Sequence, residues 1–164
     1  MTCIVALKHN DKVYMGADSA LSMSTHIVSV EDKIYLSPNG VLIGFAGTRI
    51  LHDFRIMVNI DPKMDYDDDY TNAVQSVLRS NDKIFQGMII LFSAGKSITF
   101  MTASNWFRCN EPYYAIGDGY QYALGSLYSS KNKKDPHKRL TQALAASEKY
   151  CSSVRAPFYY NNTI

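Results

Sequence analysis

The feature that most constrains the fold is an apolar run that begins at the second residue of the chain and then turns back. Residues 2–8 read Thr-Cys-Ile-Val-Ala-Leu-Lys, a pattern typical of a buried strand. Residues 9–12 (His-Asn-Asp-Lys) form a turn signal, and residues 13–17 return as an apolar partner strand. The sequence therefore predicts that the chain starts with a β-hairpin.

Strand and helix patterns follow this hairpin in blocks. A polar stretch at residues 19–26 comes first. The predicted elements are then strands at about 27–36 and 41–46, helices at 48–60 and 67–80, strands at 87–93, 97–103, around 107 and at 113–116, and helices at 118–130 and 135–149. Blocks of this kind favour a layered α+β fold over alternating βαβ units. We expect one domain over residues 1–164, with two sheets face to face and helices outside.

Composition excludes several classes of function. A hydrophobic content of 46% and a formal net charge of +2 are typical of a soluble globular protein and argue against a nucleic-acid partner. No apolar stretch approaches the ~20 residues of a membrane helix, and no signal peptide is evident. Three scattered cysteines, Cys3, Cys109 and Cys151, offer neither a disulfide framework nor metal-ligand spacing. We expect a cytoplasmic protein without metal or cofactor.

Thr2 is the first candidate for chemistry. If Met1 is removed, Thr2 carries a hydroxyl nucleophile and a free α-amine in one residue. An unperturbed α-amine has a pKa of ~8, which suits a general base near neutral pH. Activation of a threonine hydroxyl by an N-terminal amine is an established form of nucleophilic catalysis. While Met1 remains, that nitrogen belongs to an amide and cannot act as a base.

Asp18 and Lys33 are candidates for tuning this amine. Asp18 follows an apolar strand and Lys33 starts another, and each could equally be an ordinary surface charge. Placed beside Thr2 they would form a buried ion pair. The Lys33 ammonium would then disfavour protonation of the amine, and Asp18 would keep Lys33 charged and oriented.

Gly47 is a candidate oxyanion donor. It ends the stretch Gly44-Phe45-Ala46-Gly47, where a strand turns into a predicted helix, so its N–H could bind an anion. A tight strand-to-helix turn explains the same glycine equally well. Two other motifs fail: Gly117-Asp118-Gly119 lacks the third glycine of a dinucleotide fingerprint, and no nucleophile elbow surrounds Ser152-Ser153.

Taken together, these residues resemble a proteasome β-type subunit, and most closely the peptidase subunit of the bacterial protease HslV. The resemblance covers nearly the whole chain through the order and spacing of short motifs. The matching stretches are residues 2–6 (Thr-Cys-Ile-Val-Ala), 16–18 (Gly-Ala-Asp), 33–35 (Lys-Ile-Tyr), 44–47 (Gly-Phe-Ala-Gly), 115–119 (Ala-Ile-Gly-Asp-Gly) and 122–125 (Tyr-Ala-Leu-Gly).

This resemblance implies an N-terminal-nucleophile (Ntn) hydrolase fold, a four-layer αββα sandwich. It implies that Thr2 attacks a peptide carbonyl, that Lys33 tunes its amine and Asp18 orients Lys33, and that Gly47 supplies the oxyanion hole. It also implies a homo-oligomeric ring that degrades polypeptides, with an AAA+ ATPase unfoldase as a partner.

Two departures from the family pattern bear on activity. Asp118 replaces the serine that helps to relay protons between amine and nucleophile, so Asp118 is included among the candidate catalytic residues. The C-terminal segment, residues 150–157, lacks the aspartate that the family supplies there. Two alternatives to a threonine-type endopeptidase therefore stay open: a non-catalytic ring or scaffold subunit, and a small-molecule amidase that uses the same nucleophile.

Overall fold

A computed structural model describes residues 2–23, 26–30, 32–38, 40–47, 68–80, 89–93 and 96–163. The helix predicted at residues 48–60 lies outside this part of the chain. The strands are β1 Cys3–His9, β2 Lys12–Asp18, β3 Ala20–Met23, β4 His26–Val30, β5 Ile34–Leu36, β6 Leu42–Ala46, β7 Ile89–Ser93, β8 Thr99–Met101, β9 Trp106–Arg108, β10 Tyr113–Gly117 and β11 Phe158–Asn162. The helices are α1 Asp68–Ser80, α2 Tyr120–Ser129 and α3 Pro136–Tyr150.

The predicted hairpin is the centre of the first sheet, whose strand order is β10-β1-β2-β11. β1 and β2 pair antiparallel around a turn in which Asn10 and Asp11 adopt positive φ angles of 47° and 63°. Two such residues in succession match the right-handed twist of a tight hairpin, and Asn and Asp tolerate this conformation best after glycine. β10 pairs antiparallel with the other edge of β1.

The second sheet has the order β5-β6-β7-β8-β9, and every neighbouring pair is antiparallel. A separate two-stranded sheet joins β3 and β4. Antiparallel meanders of this kind need only short connections, which the chain supplies between β5 and β6 and between β7 and β9.

Three apolar clusters define four layers. The first cluster packs α1, through Val74 and Leu78, on the second sheet. The second lies between the two sheets and includes Ile4 of β1 and Leu42 of β6. The third packs α2 and α3 on the first sheet, with Leu144 as one of its residues. The order of layers is helix, sheet, sheet, helices, so the expectation of an α+β αββα sandwich is confirmed.

Three details of the sequence interpretation are wrong. Part of the polar stretch at residues 19–26 is strand β3, and the strand predicted at 27–36 is divided between β4 and β5, which belong to different sheets. The chain also does not end with two helices, because β11 follows them and pairs with β2. None of the described helices is both long and apolar enough to span a membrane.

Candidate active site

The site forms where the first hairpin begins and ends. Thr2 stands immediately before β1 and is only 4% exposed. Asp18 ends β2, so the antiparallel pairing of the two strands brings it beside the first residues of the chain. The backbone N–H of Cys3 donates to Asp18 Oδ1 over 2.7 Å. The peptide that follows Thr2 is thus tied directly to a predicted site carboxylate.

Asp18 and Lys33 form the buried ion pair that their sequence positions suggested. Lys33 Nζ donates to both carboxylate oxygens of Asp18, at 2.9 and 3.0 Å, and to the backbone oxygen of Ala20 at 2.7 Å. The side chain of Asp18 is fully buried and that of Lys33 is 7% exposed. Removing one partner would leave the other charge uncompensated in the interior, so the two residues depend on each other.

Burial raises the pKa of the Asp18 carboxyl above its ordinary value, and the Lys33 ammonium opposes this effect. Hydrogen bonds from the backbone N–H groups of Cys3 and Arg155 also act against the rise. The backbone N–H of Ala20 donates to the second oxygen, Oδ2, at 3.2 Å. Because every one of these neighbours is a donor, the site is built for the ionised, acceptor-only form of Asp18.

Gly47 directly follows β6 of the second sheet. The backbone N–H of Phe45 donates to the backbone oxygen of Lys33 over 3.0 Å, so Lys33 and the end of β6 are adjacent. A Cβ atom on Gly44 would lie 2.8 Å from Ile4 Cγ2, which brings β6 against the start of β1. Gly47 itself is exposed, with a φ of 140° that disfavours any side chain. Its role as oxyanion donor stays a prediction.

The turn that carries Asp118 packs on Thr2. A Cβ atom on Gly117 would lie 2.2 Å from the backbone oxygen of Thr2, and the φ of Gly117 is +87°. The backbone N–H of Gly119 donates to the same oxygen over 3.4 Å. Both neighbours of Asp118 thus contact the backbone oxygen of Thr2, and Asp118 itself is exposed.

Ser153 is the site residue that sequence reasoning missed. Its hydroxyl, in a residue that is 4% exposed, donates to Asp118 Oδ2 over 3.1 Å. The sequence offered one signal, because Ser153 lies in the segment where the resemblance implies an aspartate. A serine of the C-terminal segment and the carboxylate of Asp118 are therefore hydrogen-bonded to each other.

Ser147 is a second residue that the sequence did not reveal. It is fully buried in α3 and donates to the backbone oxygen of Gly119 over 2.9 Å. The Cys3 thiol in turn donates to the Ser147 hydroxyl over 3.3 Å. Ser147 therefore joins the start of β1 to the turn that follows Asp118.

Cys3, the residue after Thr2, is another possible nucleophile, but its buried surroundings make its thiol unreactive. Burial raises the pKa of the Cys3 thiol to about 12, and the hydrogen bond with Ser147 only partly offsets the rise. The reactive form of cysteine is the thiolate, which is scarce at neutral pH when the pKa is so high. Cys3 is therefore a poor nucleophile at neutral pH.

A cavity of about 710 Å³ lies beside the Asp118 turn. Most of its described lining is apolar or aromatic, with Asp118 and Gln121 as the polar side chains. A cavity of this size and character is typical of a binding site for an organic side chain. The described lining consists of Ile89, Phe100, Tyr114, Ala115, Ile116, Gly117, Asp118, Tyr120 and Gln121.

The layer order, with a hairpin that begins at Thr2, is that of the proteasome-like Ntn hydrolase fold. Solved structures that share it over nearly the whole chain include proteins from three different organisms. The BPH of Thiobacillus denitrificans, in complex with epoxomicin, matches at a TM-score of 0.80 and 16% identity, covering 99% of this chain and 98% of its own. The eukaryotic HslV of Trypanosoma brucei matches at 0.78 and 16%, covering 98% of each chain.

An Anbu mutant from Hyphomicrobium matches at a TM-score of 0.78 and 14% identity, covering 98% of this chain and 80% of that one. No protein-family model matches the sequence, and no curated protein matches it either. At these identities the likeness establishes the fold, and the activity has to be argued from the residues of the site.

Proposed function

We propose that this chain is a threonine-type endopeptidase subunit of a homo-oligomeric ring, with Thr2 as its N-terminal nucleophile after removal of Met1. The observation that carries the proposal is the buried Asp18–Lys33 pair, which is hydrogen-bonded to the peptide directly after Thr2. Burying two charges is costly, and a cluster of this kind beside a nucleophile is more typical of a functional site than of a stability device.

In the proposed first step, the Thr2 hydroxyl attacks the carbonyl carbon of a peptide bond. The α-amine of Thr2 accepts the hydroxyl proton, directly or through a water molecule, as the new C–O bond forms. The Lys33 ammonium disfavours a second positive charge nearby and so keeps the amine available as a base. Asp18 fixes Lys33 in direction and charge.

Charge then develops on the carbonyl oxygen, where the N–H of Gly47 would stabilise it. When the tetrahedral intermediate collapses, the C–N bond breaks and the leaving amine takes the proton from the Thr2 ammonium. An ester on Thr2 remains, and a water molecule hydrolyses it with the amine again as base. Asp118 would take part in moving protons between amine, hydroxyl and water.

The fold supports an assembly in which such sites face an enclosed chamber. We propose polypeptides as substrates, an AAA+ ATPase unfoldase as the partner that delivers them, and a cytoplasmic location. Neither a cofactor nor a metal enters the proposed reaction. The α-amine of Thr2 serves as the base, and the Lys33 ammonium keeps that amine unprotonated.

The test is the intact mass of the purified chain before and after treatment with a covalent inhibitor that requires an N-terminal threonine. Epoxomicin is the first choice, because it is bound in the BPH structure. We expect loss of one methionine and one adduct per chain, with no adduct on Thr2→Ala or Lys33→Ala. Peptide cleavage by Thr2→Ala at the parent rate would show that the threonine mechanism is wrong.

A non-catalytic ring or scaffold subunit is the second candidate, and the burial of Thr2 favours it. A chain that keeps Met1 has an amide nitrogen at Thr2, and the threonine itself is 4% exposed. Retention of methionine together with absence of an adduct would support this candidate. Cleavage of a simple amide, without any cleavage of peptides, would instead support a small-molecule amidase.

A further inference from the structure

The C-terminal loop, residues 151–157 between α3 and β11, touches two of the five predicted site residues. The backbone N–H of Ser19 donates to the backbone oxygen of Arg155 over 3.3 Å, and the N–H of Arg155 donates to Asp18. Ser153 of the same loop donates to Asp118. One loop thus holds the carboxylates of both Asp18 and Asp118.

The Ser153 hydroxyl has a fixed direction. Its oxygen lies 3.1 Å from Asp118 Oδ2 and 3.1 Å from Cys151 Sγ. Since the single hydroxyl proton goes to the carboxylate, the Cys151 thiol is the donor in the second contact. The chain of donors runs from Cys151 to Ser153 to Asp118, and it fixes which way the carboxylate of an otherwise exposed aspartate points.

Arg155 locks the loop in place. Its Nη1 donates to the backbone oxygens of Glu148, Cys151 and Val154, at 3.3, 3.2 and 2.6 Å. The backbone N–H of Ala156 donates to Glu148 Oε1 over 2.9 Å. The guanidinium thus binds one backbone oxygen in the last turn of α3, that of Glu148, and two in the loop, and a positive charge is favourable at the C-terminal end of a helix.

We propose that Ser153 is a positioning residue, which acts through its hydroxyl to hold the Asp118 carboxylate in one orientation at the turn that contacts Thr2. The inference rests on the proposed threonine-peptidase function. Two glycines that contact Thr2 enclose Asp118 in the chain, so its backbone is fixed, and Ser153 fixes the remaining freedom of its side chain. Without the Ser153 hydroxyl, the Asp118 carboxylate would rotate freely in solvent. It would then be in the right orientation less often to transfer protons in the proposed reaction.

The experiment compares Ser153→Ala with Ser152→Ala in steady-state peptide hydrolysis. Ser152 is the exposed neighbour in the same loop and serves as the matched control. We expect Ser153→Ala to lower kcat about tenfold with an unchanged KM, a fraction of the 10²–10⁴-fold that a positioned acid or base contributes. Ser152→Ala should keep the parent kcat, and Ser153→Thr, which retains the hydroxyl, should recover most of the loss.

A double-mutant cycle with Asp118→Asn separates positioning from a merely structural role. If Ser153 acts through Asp118, then adding Ser153→Ala to Asp118→Asn should lower kcat no further. A full additional tenfold loss in the Asp118→Asn background would overturn the inference, as would an active parent whose Ser153→Ala variant is equally fast. A parent that cleaves no peptide would overturn the proposed function, and the inference with it.

Discussion

Among individual residues, the Asp18–Lys33 pair carries the largest expected effect on stability. Lys33→Met leaves a fully buried carboxylate without its cation, and the expected cost is about 3 kcal/mol. In the double variant Asp18→Asn/Lys33→Met neither charge remains, so its loss of stability should be smaller than that of Lys33→Met alone. Chemical unfolding at one fixed protein concentration measures both.

The exposed pair Lys96–Asp11 is the matched control. Its Nζ–Oδ1 distance of 3.1 Å is close to that of the buried pair, but its side chains are 71% and 79% exposed. Lys96→Met should leave the unfolding midpoint unchanged within error, because water already screens this contact. If Lys33→Met and Lys96→Met lowered the free energy of unfolding equally, burial would not make the Asp18–Lys33 contact more important than an exposed one.

Cysteine reactivity gives a second prediction at this scale. Burial raises the pKa of Cys3 to about 12 and that of Cys109 to about 11. At pH 8 the thiolate fraction of Cys3 is then on the order of 10⁻⁴, so iodoacetamide should label the half-buried Cys151 first and Cys3 hardly at all. Peptide mass mapping after timed alkylation measures the order of labelling.

The same reaction in concentrated urea should label all three cysteines, because unfolding removes the burial. The raised pKa also has a consequence for stability. The contribution of a buried neutral thiol is complete below pH 9 and is lost as the pH rises toward about 12, through the folded-state value. Labelling of folded Cys3 as fast as Cys151 would show that the start of β1 is open to solvent.

Among the elements, the turn after β10 is the most constrained. Gly117→Ala would place a Cβ atom 2.2 Å from the backbone oxygen of Thr2, at a φ of +87°. We expect a loss of about 2 kcal/mol or more, because neither the turn nor β1 can move without breaking their pairing. Thermal unfolding of the purified variant measures it.

Gly125→Ala tests the same change where the structure offers room. Gly125 lies inside α2, is exposed, and has no atom within 4 Å of an added Cβ. Alanine is the better helix former, so this variant should gain about 0.5–1 kcal/mol. A Gly117→Ala variant as stable as Gly125→Ala would refute the close contact with Thr2.

The strands also show which parts of the fold can be predicted from the sequence alone. The β1–β2 hairpin was predictable because its pattern and its turn are local in the chain. β11 was not, since Phe158–Asn162 becomes a strand by pairing with β2, about 140 residues earlier. β3 lies in the stretch 19–26, for which no strand was predicted, and it is a strand through its pairing with β4. Whether such a segment forms a strand depends on its cross-strand neighbours, which the sequence does not reveal.

Some residues of the candidate site could likewise be predicted from the sequence, and others could not. The identity and order of Thr2, Asp18, Lys33 and Gly47 point to a site from the sequence alone, because each residue type suits one step of a known chemistry. The contact between Asp118 and Ser153 could not be predicted, since it depends on how the loop after α3 packs against a turn 35 residues away. Ser147 was hidden for the same reason.

Considering the whole molecule, β1 contributes to two different cores. Cys3 belongs to the cluster under α2 and α3, whereas Ile4 belongs to the cluster between the sheets. This alternation places Thr2 on the side of Ile4, in the space between the two sheets. Thr2 precedes β1 of the first sheet, whereas Lys33 precedes β5 and Gly47 follows β6 of the second sheet, so any site that combines them depends on the stacking of the two sheets.

Assembly is the prediction for the molecule as a whole. The described surface carries seven large apolar side chains with exposures between 39% and 62%, and tyrosines make up five of them. Tyrosine is one of the residue types enriched at protein–protein interfaces. We expect native mass spectrometry to show a closed oligomer of many 18.5 kDa chains, and Thr2→Ala should assemble in the same way, since Thr2 is buried within its own chain. A monomer that cleaves peptides at full rate would contradict the ring and leave the threonine mechanism intact, whereas a ring without any adduct would favour the scaffold subunit.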